Sequence, residues 1–429
     1  MRFKKDSKIE ILIVGSELLT PYFQETNSQY LTQRLNDLGM DVSFKTVVGD
    51  DKEDLLNAMK EAISRAQLII TTGGLGPTRD DRTREVLAET LERKLLFQEH
   101  ILKKIRDRFR RRGFSMPAVN RKQAYIIEGA EVLENKNGTA PGLWLETEKK
   151  IIVLLPGPPH ELRPMFEDSV LPRLQKFSRL HVFRKVIKTA SLTESQTESL
   201  ISDLYPENSS LNISTLAYPG QIEIHLAARS EKSLAQAKSQ VIKLEKKISE
   251  KLKDNVFSVN GEELEEVVGK LLRSQKKTLA VSESCTGGLL SNRITNVPGS
   301  SDYFLQGIVV YSNQAKINAI GVKPSILKKQ GAVSPESALA MARGIREKTK
   351  SDYGLGITGI AGPSGGSVQK PVGLVFIALA WEKGTEVSEN MFLGNREKIK
   401  FQSSQKALDM LRRHLHENHK SRQEKRKIK

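Results

Sequence analysis

Three short apolar runs in the last third of the chain each pass directly into small, polar or glycine-rich residues. Thr278-Leu-Ala-Val281 runs into Ser282-Glu-Ser-Cys-Thr-Gly-Gly288. Gly307-Ile-Val-Val-Tyr311 runs into Ser312-Asn-Gln-Ala-Lys316, and Tyr353-Gly-Leu-Gly-Ile357 into Thr358-Gly-Ile-Ala-Gly-Pro-Ser-Gly-Gly366. Apolar runs of this length without helical spacing predict buried strands. Helical spans lie among them, at Leu289 to Thr295, Gln314 to Ile320 and Pro335 to Lys348. Strands alternating with helices restrict the segment to an α/β sheet with parallel crossovers. In such sheets ligands bind beyond the carboxyl ends of the strands. A hydroxyl, a lysine and a glycine-rich loop are therefore expected at one site.

The first segment has the same rhythm. Ile9 to Val14, Val42 to Val48, Leu68 to Thr72 and Ile151 to Leu155 read as strands, with helices from Thr26 to Gly39 and Lys52 to Arg65. A parallel sheet covered by helices is expected there too. Between the two, Val182 to Thr189 reads as a strand and Glu194 to Leu204 as a helix. A hairpin turning at Tyr218-Pro-Gly220 and a long charged helix from Ser233 to Lys253 follow. That β-α-β-β-α order suits a small α+β domain, and it carries no evident chemistry. The last segment opens with a helix from Glu262 to Ser274, gains a strand at Val372 to Ala380 and closes with a helix from Lys398 to His416. The expected organisation is α/β: two three-layer α/β domains, 1–172 and 258–417, joined by a small α+β domain, 175–255. A basic tail, 418–429, is expected to be disordered.

A chain of 429 residues is too long for one ordinary core. No run approaches the ~18 apolar residues that mark a membrane helix, so no membrane partner is expected. The single cysteine, Cys285, cannot form an internal disulfide, which suits a reducing cytoplasm. The net charge of +17 raises nucleic-acid binding. Much of the excess is local, however, in the stretch from Lys103 to Arg112 and in the tail from Lys420 to Lys429. Such runs are usually solvated, and phosphorylated small molecules use a positive field equally well.

Serine needs a base to act as a nucleophile at neutral pH. No histidine lies in the C-terminal α/β segment before His414. A lysine serves instead if burial lowers its pKa and keeps it neutral. Ser284 near a helix start and Lys316 just beyond a strand fit these roles. The Tyr311 hydroxyl would relay a proton or fix the lysine. Backbone N–H groups from Cys285 through Thr286, Gly287 and Gly288 would face an oxyanion. Gly359, Gly362, Gly365 and Gly366 would let amides approach a phosphate. Plainer readings stand beside these: Ser284 as a helix cap, Cys285 as an inert thiol or a rival nucleophile, and Lys316 as a surface lysine.

The run from Val281 to Pro371 resembles the C-terminal domain of the CinA family, the nicotinamide mononucleotide (NMN) amidohydrolases. The resemblance rests on Glu283-Ser-Cys-Thr-Gly-Gly288, Pro298-Gly-Ser-Ser301, Tyr311-Ser-Asn-Gln-Ala-Lys316, Gly331-Ala-Val-Ser334, Thr358-Gly-Ile-Ala-Gly-Pro363 and Lys370-Pro-Val-Gly373. It implies a nucleophile at Ser284, its base at Lys316 and a supporting Tyr311, and a reaction that converts NMN and water into nicotinate mononucleotide and ammonia without a cofactor. Thr286, the glycines named above and Lys370 would line the substrate site.

At the other end, Leu68 to Thr83 is a strand, a glycine turn (Gly73, Gly74, Gly76, Thr78) and an acid pair, Asp80 and Asp81. Glycines after a strand admit a phosphate. The acids suit either a hard divalent cation, Mg or Co, or a helix start. Residues 9–172 resemble the molybdopterin-binding fold of CinA N-terminal halves. That resemblance implies a metal-dependent ADP-ribose pyrophosphatase with Asp50 and Asp81 as carboxylates, and Asp80 and Glu161 near them. One departure is Ser16, where the family commonly has an acid. The middle segment resembles the family's KH-type linker, but Leu192 to Glu198 lacks the two glycines of a nucleic-acid clamp. The resemblance also implies a homodimer. Two alternative readings are a competence- or recombination-associated binding protein and a molybdopterin-binding protein without hydrolase activity.

Overall fold

The computed structural model describes residues 7–427 except 148, 179 and 207–209, with side chains described as far as Glu417. The chain divides into two compact units, Met1–Phe183 with Arg229–Ala237, and Arg184–Ala228 with Lys238–Lys429.

The first unit is built on a six-stranded sheet. Strands β1 (Ile9–Val14), β2 (Phe44–Val48) and β3 (Leu68–Thr72) alternate with helices α1 (Asn27–Asp37) and α2 (Lys52–Arg65). Asp51 caps α2 by accepting from the amides of Glu53 and Asp54, which satisfies donors that a helix start leaves free. A two-stranded ribbon, β4 (Leu95–Phe97) with β5 (Tyr125–Ile127), flanks helices α3 (Thr83–Thr90) and α4 (Glu99–Arg111). Strands β6 (Glu131–Leu133), β7 (Gly142–Glu146) and β8 (Ile151–Leu155) complete the sheet, in the order β2-β1-β3-β8-β7-β6. Helices α5 (Pro159–Met165) and α6 (Leu171–Gln175) follow. Strand β1 is buried throughout. Ile9, Ile11 and Ile13 enter one core cluster, and Leu12 and Val14 another. This alternation between two faces is why the run has no helical spacing.

The sheet is mixed, which corrects the parallel expectation. β6 and β7 pair antiparallel with each other, and β7 with β8. The chain folds back there through a short connection, which an antiparallel pair permits and a parallel pair does not.

A four-stranded antiparallel-type sheet has the order β10-β11-β9-β12, formed by β9 (His181–Ala190), β10 (Leu211–Tyr218), β11 (Gln221–Ser230) and β12 (Val256–Ser258). Helices α7 (Glu194–Ile201) and α8 (Leu234–Leu252) accompany it. Thr193 and Gln196 form a capping box at the start of α7. The stretch Leu192 to Glu198 therefore serves as a helix start.

The C-terminal sheet has the order β14-β13-β15-β16-β17. Its elements are α9 (Leu264–Gln275), β13 (Leu279–Glu283), α10 (Leu289–Thr295), β14 (Phe304–Val309), α11 (Asn313–Ile320), α12 (Pro324–Gln330), α13 (Pro335–Thr349), β15 (Tyr353–Gly359), β16 (Leu374–Trp381), β17 (Gly384–Met391) and α14 (Arg396–Lys427). β14, β13 and β15 are parallel, whereas β16 and β17 form an antiparallel hairpin on the far side. β17 escapes a hydrophobic reading because it is an edge strand of polar, half-exposed residues. α14 continues to Lys427, through the segment expected to be an unstructured tail. Helix α13 packs directly on β15: a Cβ at Gly354 would stand 2.2 Å from the Ala342 carbonyl oxygen. Among the described residues no helix is long and apolar enough to cross a membrane.

Candidate active site

β13 ends at Glu283, and Ser284 is the first residue beyond it. Its amide donates to the Ile357 carbonyl on the neighbouring β15 at 3.0 Å, which fixes the turn to the sheet. β14 lies on the other side of β13, so the next loop, 310–312, arrives beside Ser284. Ser312 caps α11 through the Ala315 amide, and Lys316 lies in the first turn of that helix. Its Nζ lies 2.9 Å from the Val310 carbonyl oxygen, 3.1 Å from that of Tyr311 and 3.2 Å from Ser284 Oγ. Lys316 is 1% exposed and Ser284 8%. Burial holds the lysine pKa below its ordinary value. The positive end of α11 acts in the same direction. A neutral amine has two N–H donors and one lone pair. With the donors on the two carbonyls, the lone pair faces the serine hydroxyl.

The serine turn is held from beneath. Glu283 is fully buried and accepts from the amides of Gly288 at 3.1 Å, Leu290 at 3.0 Å and Ser291 at 2.9 Å. It caps α10 from the strand, a role that hydrophobic patterning does not reveal. The consequence for the expected oxyanion donors is specific. The Gly288 amide is taken by Glu283, and the Gly287 amide by the Ser284 carbonyl. The amides of Cys285 and Thr286 have no acceptor from another described residue. Those two N–H groups are the ones free to meet an oxyanion. The Thr286 hydroxyl is buried without a partner. Cys285 is buried, and burial pushes its thiol up to about 12, so a thiolate nucleophile is disfavoured.

Tyr311 is arranged differently from the expectation. Its side chain is 61% exposed and its hydroxyl accepts from Arg396 Nη2 at 3.2 Å. The lysine is held by the Tyr311 carbonyl, not by the phenol. Arg396 also donates to the Gly362 carbonyl at 2.7 Å and so ties the glycine loop to the tyrosine loop. Sequence reading missed Arg396, which comes from the start of a distant helix with no motif of its own. Lys400, one turn further on, lies near Gly287: its Nζ is 3.7 Å from where a Cβ there would sit.

The glycines of that loop serve packing more than a cradle. A Cβ would stand 2.7 Å from the Leu374 carbonyl at Gly359, 2.5 Å from Val372 at Gly362 and 3.0 Å from Val372 at Gly366. Only at Gly365 is the nearest atom as far as 3.9 Å. Lys370 is anchored to the carbonyls of Gln330 at 3.0 Å and Val333 at 2.6 Å, so its ammonium braces the loop.

In the first unit, Gly73, Gly74, Gly76, Thr78, Asp50, Asp80, Asp81 and Glu161 all line one cleft of about 800 Å³. Three of the carboxylates are held by hydrogen bonds of their own. Asp50 accepts from the Ser16 amide at 2.8 Å, and Ser16 Oγ in turn accepts from the Asp50 amide. Asp81 accepts from the Thr78 amide at 2.8 Å and its hydroxyl at 2.6 Å. Glu161 accepts from Asn135 Nδ2 at 2.6 Å. Among the described residues no three His, Cys, Asp or Glu side chains stand close enough together to hold a metal ion. Asp81 shapes its own loop, whereas Asp50 and Glu161 tie neighbouring loops together, and this arrangement does not gather the described carboxylates around one cation. A fully buried guanidinium, Arg84, lies behind the acid pair, with Nε and Nη2 unpartnered.

Two mixed α/β sheets and a small antiparallel sheet, the last α/β sheet carrying a buried serine–lysine pair at its strand ends, define a three-part α/β protein. Family models match in the same order: "Probable molybdopterin binding domain" over residues 10–176, "Damage-inducible protein CinA KH domain" over 184–258 and "CinA C-terminal domain" over 261–415. The chain is 45% identical over 411 residues to a CinA-like protein of Koribacter versatilis, covering 95% of this chain and 99% of that one. It is 45% identical over 407 residues to a CinA-like protein of Solibacter usitatus, covering 95% and 98%. Among solved structures it is similar to competence/damage inducible protein CihA from Agrobacterium tumefaciens, with 34% identity, 36% of this chain and 97% of that chain covered, and a TM-score of 0.34. The chain belongs to the CinA family.

Proposed function

We propose that the C-terminal domain is an amidohydrolase that deamidates nicotinamide mononucleotide by a serine–lysine mechanism. The observation that carries this reading is the contact between Lys316 Nζ and Ser284 Oγ at 3.2 Å, with both other Nζ partners being carbonyls. Neutral Lys316 takes the Ser284 proton as Oγ attacks the carboxamide carbon. The oxygen of the tetrahedral intermediate gains charge and is met by the Cys285 and Thr286 amides. Lys316 returns the proton to the leaving nitrogen, and ammonia departs from a nicotinoyl ester on Ser284. Water, deprotonated by Lys316, attacks that ester. Nicotinate mononucleotide leaves and the serine hydroxyl is restored. The 5′-phosphate is assigned to the cationic rim made by Arg396 and Lys400, a charge pattern that suits a mononucleotide better than a free nicotinamide.

The test is release of ammonia and nicotinate mononucleotide from NMN by the full chain, with nicotinamide riboside as the phosphate-free comparison. Turnover of NMN with the riboside much slower is expected. No ammonia from NMN would overturn the assignment.

A further inference from the structure

Helix α4 places His100, Lys104, Arg108 and Arg111 at spacings of four, four and three residues, which puts them on one stripe. That stripe is one wall of a cleft of about 380 Å³ in the first unit. The opposite wall is the 132–141 segment, with Asn135 and Lys136. The volume is at the small end of ligand sites. Four cations line the cleft (Lys104, Arg108, Arg111 and Lys136) against two carboxylates, Asp107 and Glu134. Both carboxylates already have partners: Glu134 pairs with Lys104 at 3.0 Å and Asp107 with Arg110 at 2.7 Å. Lys136 pairs with Asp168 at 2.7 Å.

Arg108 and Arg111 are left over. Neither has a carboxylate within ion-pair reach among the described residues. Arg108 makes one long hydrogen bond, Nη1 to the Asn135 carbonyl at 3.4 Å, and its Nε is buried with no acceptor. Buried donors are nearly always satisfied, and an exception calls for a missing partner. Like charges one turn apart also repel. On the outer flank of the same helix the pattern is different: Arg106 pairs with Glu99 and Arg110 with Asp107. Arg106 and Arg110 are answered by acids of their own helix, and Lys104 and Lys136 by Glu134 and Asp168, whereas Arg108 and Arg111 in the cleft are not.

A bound oxyanion would supply the absent acceptor and remove the repulsion together. The planar fork of arginine matches phosphate oxygens in pairs. We propose that this cleft is a binding site for a compact oxyanion of the phosphate class, a mono- or diphosphate group, held by Arg108 and Arg111. It lies behind the 134–141 loop, whose Thr139 also lines the large glycine cleft. The group is either a free phosphate or the phosphate end of a small nucleotide.

Calorimetric titration of the full chain with inorganic phosphate, pyrophosphate and ADP tests this. Saturable pyrophosphate binding is expected, weakened at least about tenfold by the double variant Arg108→Gln/Arg111→Gln, because that variant removes the paired contacts. The matched variant Lys103→Gln/Arg106→Gln loses the same charge outside the cleft, leaves Asp107 paired with Arg110, and is expected to bind within about threefold of the parent. Arg108→Lys keeps the charge and loses the fork, and should fall between them. Equal affinity for pyrophosphate and ADP assigns the free anion, and tighter ADP assigns a nucleotide. Unchanged melting temperatures in both double variants show that folding is not the cause. No saturable binding, equal weakening by both double variants, or displacement by a single-stranded oligonucleotide that both variants weaken alike would overturn the proposal.

Discussion

Glu283 and Ser291 are joined twice. Oε1 of the buried carboxylate accepts from the Ser291 amide at 2.9 Å and from its hydroxyl at 2.6 Å. Oε2 accepts from two more amides, so both carboxylate oxygens face donors only. A glutamine of the same shape must turn an NH₂ group toward at least one of them. Glu283→Gln should therefore cost roughly 1–3 kcal/mol of stability. It should also lower kcat with KM little changed, because the turn carrying Ser284 loosens. Melting curves and steady-state NMN kinetics read both effects. A fully active variant of parental stability would show that the cap does not position the serine.

Removing either end of the Ser284–Lys316 contact has a sharper outcome. Ser284→Ala should lose at least about 1,000-fold in turnover, as expected when a nucleophile acting with its base is removed. Lys316→Met should do the same while folding remains intact, since exchanging a buried amine for an apolar chain of similar length is often neutral or stabilising. Ammonia release with parallel melting curves separates the two effects. Substantial turnover in Lys316→Met would remove the lysine from the chemistry.

The pH dependence follows from burial. The Lys316 pKa is lowered from 10.5 by desolvation. The reactive form is the neutral amine, so kcat/KM should rise with pH through the lowered pKa, below where an ordinary lysine titrates, and level off above it. Stability moves the same way. The unfolded chain binds the proton more readily than the folded one, so the folding penalty is full below the folded pKa. It is relieved as pH climbs from there toward 10.5. Lys316→Met should flatten that rise in a plot of melting temperature against pH. A rate that falls with rising pH over this window would contradict a lysine base.

The strand ends that carry Ser284 and Lys316 were legible because their signal is local: an apolar run, then a hydroxyl or an amine within a few residues. Pairing across the sheet then brings the two together without further information. Glu283 lay inside a quoted motif, yet its function is invisible there, since an acid at a strand end looks like solvent-facing charge until its donors are traced to the start of α10. Arg396 depends on a tertiary approach between helix and loop, which no spacing encodes. Likewise the acids at 50, 80, 81 and 161 do converge on one cleft, but Asp81 bonds within its own loop while Asp50 and Glu161 bond to neighbouring loops, connections that no spacing in the sequence encodes. The β16–β17 hairpin was half legible, because β16 is uniformly apolar and β17 is polar and half exposed.

Asp409 on α14 gives a last test, of what keeps the final helix in place. The residue is fully buried. Its Oδ1 accepts from Arg412 Nε at 2.9 Å and Nη2 at 2.7 Å, and its Oδ2 from Arg413 Nε at 2.8 Å and Ser191 Oγ at 2.9 Å. Arg412 reaches on to the Asp254 carbonyl at 2.6 Å, and Arg413 to Asn255 Oδ1 at 2.9 Å. Burial pulls the carboxyl pKa up, but the two guanidinium groups outweigh it and hold the pKa below the ordinary value. The stabilisation is accordingly present above the unfolded pKa of 3.8 and is lost as pH falls through the lower folded one. Asp409→Asn leaves the buried Arg412, and the partly exposed Arg413 beside it, without their shared anion, which should cost about 3–5 kcal/mol. The variant should also lose the part of the acid-side decline in melting temperature that this carboxylate causes. A melting temperature equal to the parent at neutral pH would mean that water already compensates these charges, and that α14 is held by its apolar face alone.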